Sequence, residues 1–285
     1  MENLKLAIQK SGRLSEKSLE LMSECDINIT LGKRKLVGAC DTFPIQTLHL
    51  RDDDIPQYVA DGVADIGIVG ENEVAEKDKN VEIIKRLGFA KCRISLAIPE
   101  DADYKGVEWF NGKRIATSYP NILLKFLNEK GIDATIEEIS GSVEIAPGIG
   151  LADAIFDIVS SGGTLISNRL KEVEKVFFSE AVVVASPGVS AEKKAIVDEL
   201  FFRIETVQNS KGKKYILLNA PNNNLEKIIK ILPGMKSPTV MPLHESGWSS
   251  VHSVVTESEF WAKIGELKDL GAEGILVVPI EKMIQ

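Results

Sequence analysis

At 285 residues the chain is longer than one ordinary hydrophobic core can enclose, and two or three domains are expected. Its 44% hydrophobic and 27% charged residues are those of a soluble globular protein, while a net charge of −8 and a pI near 5.2 exclude broad electrostatic binding to nucleic acid or anionic lipid. Any anionic ligand must therefore be gripped locally, and with neither a signal-peptide pattern nor a membrane-length apolar run the expected home is the cytoplasm.

Leu4 to Ile8 reads as a short apolar strand, followed by Gln9-Lys10-Ser11-Gly12-Arg13 and a helix from about Ser15, its expected N-cap, to Cys25. A strand, a Ser-Gly loop and a helix start form a ready anion site, and Lys10 and Arg13 add full charge to it. The plainer reading of both is as solvated surface cations. Gln46 to Leu50 alternates like a strand, and Arg51-Asp52-Asp53-Asp54-Ile55-Pro56 then opens a helix with acids in its first turn. Consecutive side chains there diverge, so capping and dipole complementarity are expected of the aspartates in preference to metal binding.

Shifted by ninety-two positions, Ala60-Asp61, Asp65-Ile66 and Gly70 fall on Ala152-Asp153, Asp157-Ile158 and Gly162, so one α/β unit is used twice. Leu6-Ala7 is echoed by Ile115-Ala116, whose polar loop Thr117-Ser118-Tyr119 ends on Pro120 at a first helical position. Cys92 to Pro99 and Ala181 to Ala185 are apolar strands that can cross between two lobes, which gives 1–92 with 182–205 as the first lobe and 93–181 as the second. Strands separated by helices predict mainly parallel sheets, with ligands at their carboxyl ends and a cleft between facing lobes. The three cysteines, Cys25, Cys40 and Cys92, are too few and too widely spaced for a disulfide framework or a zinc site.

Ala154 to Val159 reads as the end of a helix running into a buried strand, after which Ser160-Ser161-Gly162-Gly163-Thr164 turns the chain sharply. Two glycines let successive N–H groups converge and three hydroxyls can join them, a pattern that cradles phosphate; it is also that of an ordinary polar turn. Asp157 at the entrance would repel phosphate, so its partner is a neutral donor on the same ligand, such as a sugar hydroxyl. Together these features suggest a ribose phosphate.

After Glu205 the pattern changes. Lys214 to Ala220, Pro238 to Leu243, Trp248 to Thr256 and Gly274 to Ile280 read as strands, and Leu225 to Leu232 and Glu257 to Leu270 as helices. The order βαββαβ is ferredoxin-like, and 206–285 is expected to be a separate module.

Gln9-Lys10-Ser11-Gly12-Arg13-Leu14, Arg51 to Pro56, Gly112 to Pro120, the stretch around Asp157 and Ser237-Pro238-Thr239 together resemble the long form of the ATP phosphoribosyltransferases, over nearly the whole length. The resemblance implies two periplasmic-binding-protein-like α/β lobes, a cleft for phosphoribosyl pyrophosphate and ATP, a C-terminal ACT-like module that binds histidine as inhibitor, and a homo-oligomer. It places the 5-phosphate on Ser160, Ser161, Gly162, Gly163 and Thr164, and the ribose hydroxyls on Glu144 and Asp157. Lys10, Gly12, Arg13, Arg51 and Tyr119 are then the expected ATP site, with Tyr119 packing on the base, and Ser237, Thr239 and Gly274 the expected histidine site. Many relatives carry arginine where Gly148 stands, so no cation is available at that place. Attack by adenine N1 uses a free lone pair, needs no strong base and leaves His49, His244 and His252 without a catalytic role. Mg2+ held by phosphate oxygens and water, with no protein cage, is expected to neutralise the departing pyrophosphate. The competing class is a cytosolic two-lobed ligand sensor; a second cationic phosphate loop favours the enzyme.

Overall fold

The computed structural model describes residues 2–31, 36–232 and 234–284, in two compact units, Met1–Val197 and Asp198–Gln285. The first unit holds two sheets. Strands β1 (Leu4–Gln9), β2 (Thr30–Leu31), β3 (Val37–Ala39), β4 (Ile45–Leu50), β5 (Ile66–Gly70) and β6 (Glu82–Arg86) enter the first sheet. The chain then builds the second from β7 (Cys92–Pro99), β8 (Arg114–Thr117), β9 (Thr135–Glu138), β10 (Ala154–Val159) and β11 (Leu170–Ser179), and returns to the first with β12 (Ala181–Ala185). The orders are β2-β3-β4-β1-β5-β12-β6 and β11-β7-β10-β8-β9.

Each sheet is mixed, where mainly parallel sheets were expected. A parallel trio, β4-β1-β5 in one and β9-β8-β10 in the other, is flanked by an antiparallel strand, β12 or β7. The reason lies in the connection. β7 and β12 arrive from the other sheet and not through a helical crossover, so nothing obliges them to run parallel.

The repeat is real, but its register differs between strand and helix. Asp65 accepts the N–H of Lys5 at 2.8 Å, and Asp153 accepts that of Arg114 at 2.9 Å, each tying the turn before β5 or β10 to the start of β1 or β8. These two aspartates are eighty-eight positions apart, whereas the ninety-two of the sequence match separates the helix starts Glu71 and Gly163. The difference is one extra strand residue together with Ser160-Ser161-Gly162. The second lobe has thus inserted a loop where the first runs directly from strand to helix.

Helix α1 (Arg13–Glu24) starts two residues before Ser15, which is buried inside its first turn and is not the N-cap. Gly12 takes that place with φ 97°, a left-handed conformation that turns the chain from β1 into the helix without a spacer. Helix α2 (Ile55–Ala60) follows a single 3₁₀ turn at Asp52–Asp54, and α3 (Glu71–Lys77) follows β5. In the second lobe α4 (Pro120–Lys130) carries Pro120 at its first position as expected, and α5 (Gly163–Ser167) follows β10. No helix leads into Ala154–Val159, which is strand throughout, because Val143–Ile145 and the turns after it end before Ala154. Its core is Ile94, Leu96, Phe110, Ile115, Leu123 and Phe156, each fully buried and each worth ~1.5–3 kcal/mol against exposure.

Helix α6 (Ala191–Ser210) leads into the second unit. There β13 (Lys213–Pro221), α7 (Leu225–Ile231), β14 (Thr239–Pro242), β15 (Trp248–Thr256), α8 (Glu257–Asp269) and β16 (Glu273–Pro279) form the expected βαββαβ. All pairings are antiparallel in the order β14-β15-β13-β16, the ferredoxin-like arrangement. The start of α8 was legible in Thr256-x-x-Glu259, which forms a capping box: Glu259 N–H donates to Thr256 Oγ1 at 3.2 Å and Thr256 N–H to Glu259 Oε2 at 2.8 Å. No described helix is long and apolar enough to cross a membrane.

Candidate active site

Asp157 lies near the carboxyl end of β10, opposite Ser95 of β7. Burial pushes its carboxyl up to about 6, the nearby Glu144 carboxylate adds to the rise, and the N–H of Ile158, donating at 2.8 Å, opposes it. Glu144 comes from the 3₁₀ turn Val143–Ile145, anchored by buried Val143 and Ala146. The two carboxylates are thus brought together from segments that the sequence keeps apart. Beyond Asp157, Ser160, Ser161, Gly163 and Thr164 are exposed and Gly162 has φ 84°. Among the described residues the amides of Ser161 to Thr164 have no backbone acceptor outside the loop and α5, so they are open to a ligand.

In the first lobe Lys10, Gly12 and Arg13 are exposed at the end of β1. The N–H of Lys10 donates to Leu50 O at 2.7 Å, so Lys10 and Arg51 leave neighbouring parallel strands side by side. Arg51 pairs with Asp53 at 3.1 Å, but its side chain is 70% exposed, and such a pair holds it weakly. Asp52 accepts the N–H of Asp53 and Asp53 also lies 3.9 Å from Lys77; none of the three aspartates caps a helix through its side chain. Among the described residues no group of three or more His, Cys, Asp or Glu is placed to hold a metal ion.

Tyr119 stands between β8 and α4. It is 9% exposed, packed into the core of the second sheet, and its hydroxyl accepts from Asn72 Nδ2 at 3.4 Å. Buried Asn72, on α3, also joins Glu73 at 3.0 Å and receives the hydroxyl of Ser179 at 2.8 Å. Burial, then the charge of Asp52, raise Glu73 to about 7. Burial, then Glu73 and Asp157, push the Tyr119 hydroxyl far above its ordinary range. Tyr119 is therefore within electrostatic reach of Asp157 from the second lobe and of Glu73 and Asp52 from the first. The sequence reading missed Asn72, Glu73 and Glu76, although the run Glu71-Asn72-Glu73 directly after a strand was a signal.

His49 is buried against Thr47 at 3.0 Å and lowered by desolvation, and His252 is held by Tyr215 at 2.8 Å and Ser250 at 2.9 Å. Both rings are engaged by neighbours within their own sheets. Cys25, Cys40 and Cys92 form no disulfide.

In the second unit Thr239 begins β14 opposite His252, and Ser237 is exposed just before it. Gly274, with φ 59°, is on β16. The sheet order puts β14 and β16 on opposite edges, so one chain does not bring Gly274 beside Ser237 and Thr239.

The family pattern described as ATP phosphoribosyltransferase matches residues 51–206, and that described as the HisG C-terminal domain matches 210–282. The chain is 61% identical over 281 residues to the ATP phosphoribosyltransferase of Bacteroides thetaiotaomicron, covering 99% of both, and 61% identical over 282 residues to that of Cytophaga hutchinsonii, again covering 99% of both. Among solved structures it resembles the ATP phosphoribosyl transferase (HisG:HisZ) complex from Thermotoga maritima, with TM-score 0.62, 30% identity, and coverage of 71% of this chain and 96% of that one. A putative L-cystine ABC transporter from Listeria monocytogenes shares the two-lobed fold at TM-score 0.50 and 14% identity, over 74% of this chain and 92% of its own.

Proposed function

The chain belongs to the ATP phosphoribosyltransferase family, and we propose that it transfers the 5-phosphoribosyl group of phosphoribosyl pyrophosphate to N1 of the adenine of ATP, releasing pyrophosphate, as the first step of histidine biosynthesis. The observation that carries this is Asp157, within electrostatic reach of Glu144, standing just before a loop of open amides and hydroxyls. The loop takes the 5-phosphate through Ser160, Ser161, Gly162, Gly163 and Thr164, and the two carboxylates accept the ribose hydroxyls. Lys10, Gly12, Arg13 and Arg51, exposed on the opposite loops, hold the triphosphate. Tyr119, expected to pack on the base, is instead 9% exposed and packed in the core of the second sheet, so it supports the site and does not offer its ring face to adenine.

Adenine N1 attacks with its own lone pair as the bond from the anomeric carbon to pyrophosphate breaks, and positive charge builds on the ribose ring. Asp157 and Glu144 stabilise that charge while holding the sugar in line, so positioning and electrostatics supply the catalysis and no proton need be removed from the nucleophile. Mg2+ would be carried here by phosphate oxygens and water, as hard, strongly hydrated cations bound with substrate phosphates are; among the described residues no group of three or more carboxylates or other ligands is gathered to hold it. When bound it supplies neutralisation of the leaving pyrophosphate.

The module 206–285 is the proposed histidine-binding regulatory domain, with 1–92 plus 182–205 and 93–181 as the catalytic lobes. Ser237 and Thr239 lie three strand spacings from Gly274, ~14 Å, which is too far for one amino acid to touch both edges of one sheet. That separation supports a homo-oligomer in which the edges of two chains complete the site. Mixing the protein with ATP, phosphoribosyl pyrophosphate and Mg2+ tests the activity: formation of N1-phosphoribosylated ATP is expected, and its absence with folded protein overturns the proposal.

A further inference from the structure

We infer that Arg93 is a positioning residue for the phosphate loop, holding the carbonyl of Ser160 so that the amides after it face the ligand. This rests on the reading of 160–164 as the phosphoribosyl site. Arg93 on β7 pairs across the sheet with Val159, the last residue of β10, and so stands where the chain leaves the strand for the loop. Its Nη2 donates to Glu172 Oε2 at 2.6 Å and its Nε to Glu172 Oε1, a two-point grip on β11 that fixes the plane of the guanidinium. Ser95, 1% exposed, donates to the same Glu172 oxygen at 2.7 Å and fixes the carboxylate in turn. The remaining nitrogen, Nη1, then donates to Ser160 O at 3.3 Å.

The consequence for the loop follows from the peptide unit. A trans peptide is planar, with its C=O and N–H pointing in opposite directions. Drawing the Ser160 carbonyl toward Arg93 therefore turns the Ser161 N–H away from the sheet, and Gly162 with φ 84° continues that turn. Among the described residues this is the one side-chain hydrogen bond from outside the loop that reaches Ser160 to Gly162. The grip needs a planar fork with donors on three nitrogens, which lysine lacks. With Glu172 neutralising most of its charge, Arg93 acts on the phosphate through the loop's shape.

The test is steady-state kinetics of the full-length enzyme carrying Arg93→Gln, Arg93→Lys or Glu172→Gln, with urea unfolding to follow stability. Arg93→Gln is expected to raise KM for phosphoribosyl pyrophosphate about tenfold while KM for ATP stays within about twofold, and Arg93→Lys and Glu172→Gln to fall between it and the parent. If Arg93→Gln raises both KM values together, or only lowers stability, the inference is overturned. Should Arg93→Gln not fold, Arg93→Lys decides: an unchanged KM for phosphoribosyl pyrophosphate overturns the inference. Thr164→Ala separates the two readings. If it raises that KM and Arg93→Gln does not, the loop binds phosphate without Arg93's help; if neither does, the loop itself has been misassigned.

Discussion

Glu76, on α3 of the first lobe, accepts the main-chain N–H of Ile122 at 3.0 Å in the first turn of α4 of the second. Its other oxygen accepts the N–H of Asn121 at 3.0 Å, and the Asn121 amide returns a bond to Glu76 O at 3.0 Å. Tyr119, the N-cap residue of α4, offers no side-chain cap, so a carboxylate from the other lobe does that work. The start of α4 is thereby closed to a substrate phosphate, while that of α1 at Gly12 and Arg13 stays exposed. This asymmetry supports the triphosphate on the first lobe.

Removing the carboxylate strands two N–H groups, one of them fully enclosed. Glu76→Ala is therefore expected to destabilise the first unit by about 2–4 kcal/mol, and Glu76→Gln, which keeps one acceptor, by about half as much. Urea unfolding measures both. Equal stability of parent and Glu76→Ala would mean that the lobes are joined by other contacts.

Glu73 gives the molecule a pH-dependent weakness. Its carboxyl is raised from 4.5 to about 7 in the folded chain, so the native state holds a proton that the unfolded state has released. Stability from this group is complete below pH 4.5, is lost as pH rises through 7, and the loss reaches at most about 3 kcal/mol. Glu73→Gln should be more stable than the parent at pH 8 and indistinguishable from it near pH 5. Unfolding midpoints at the two pH values decide; a gap that does not change with pH rules the account out.

Asp157 should shape the acid limb of the reaction. Its carboxyl, raised to about 6, becomes neutral below that pH and loses its charge for the ribose. The substrate's phosphate titrates in the same range, so the parent profile alone is ambiguous. Asp157→Asn resolves this by keeping the shape without the charge: kcat/KM for phosphoribosyl pyrophosphate should drop by one to two decades at pH 8, about 1.5–3 kcal/mol, and decline less steeply below pH 6. A variant with the parent's activity would remove Asp157 from the site.

Much of this arrangement was legible because it is local. The strand at Leu4–Gln9, the proline-led helix at Pro120, the helix from Glu257 and the Ser-Ser-Gly-Gly turn depend on neighbours in the chain, and the sequence reading recovered each, though it passed over the capping box at Thr256. What it missed is long-range. Nothing near Glu76 marks it as the cap of a helix forty-odd residues on, and nothing in Arg93-Ile94-Ser95 shows that β11 will bring Glu172 beside it. The antiparallel direction of β7 and β12 escaped for the same reason: direction is set by where a strand comes from, and its composition is silent on that.

The regulatory module yields the last prediction. Thr239 and Gly274 occupy opposite edges of one sheet with β15 and β13 between them, so if both touch histidine the ligand bridges two copies of the chain. Loss of one hydroxyl hydrogen bond is worth about 0.5–1.5 kcal/mol, and Thr239→Ala should raise the histidine concentration for half-inhibition by roughly two- to tenfold while turnover without histidine is unchanged. A bridged site also exists only in the assembled protein. Diluting the enzyme until its oligomer dissociates, followed by light scattering, should therefore weaken inhibition in step with the loss of assembly. Inhibition that keeps its full strength in the monomer would place histidine on one edge alone, and a Thr239→Ala variant that loses turnover but stays normally sensitive would remove the module from regulation altogether.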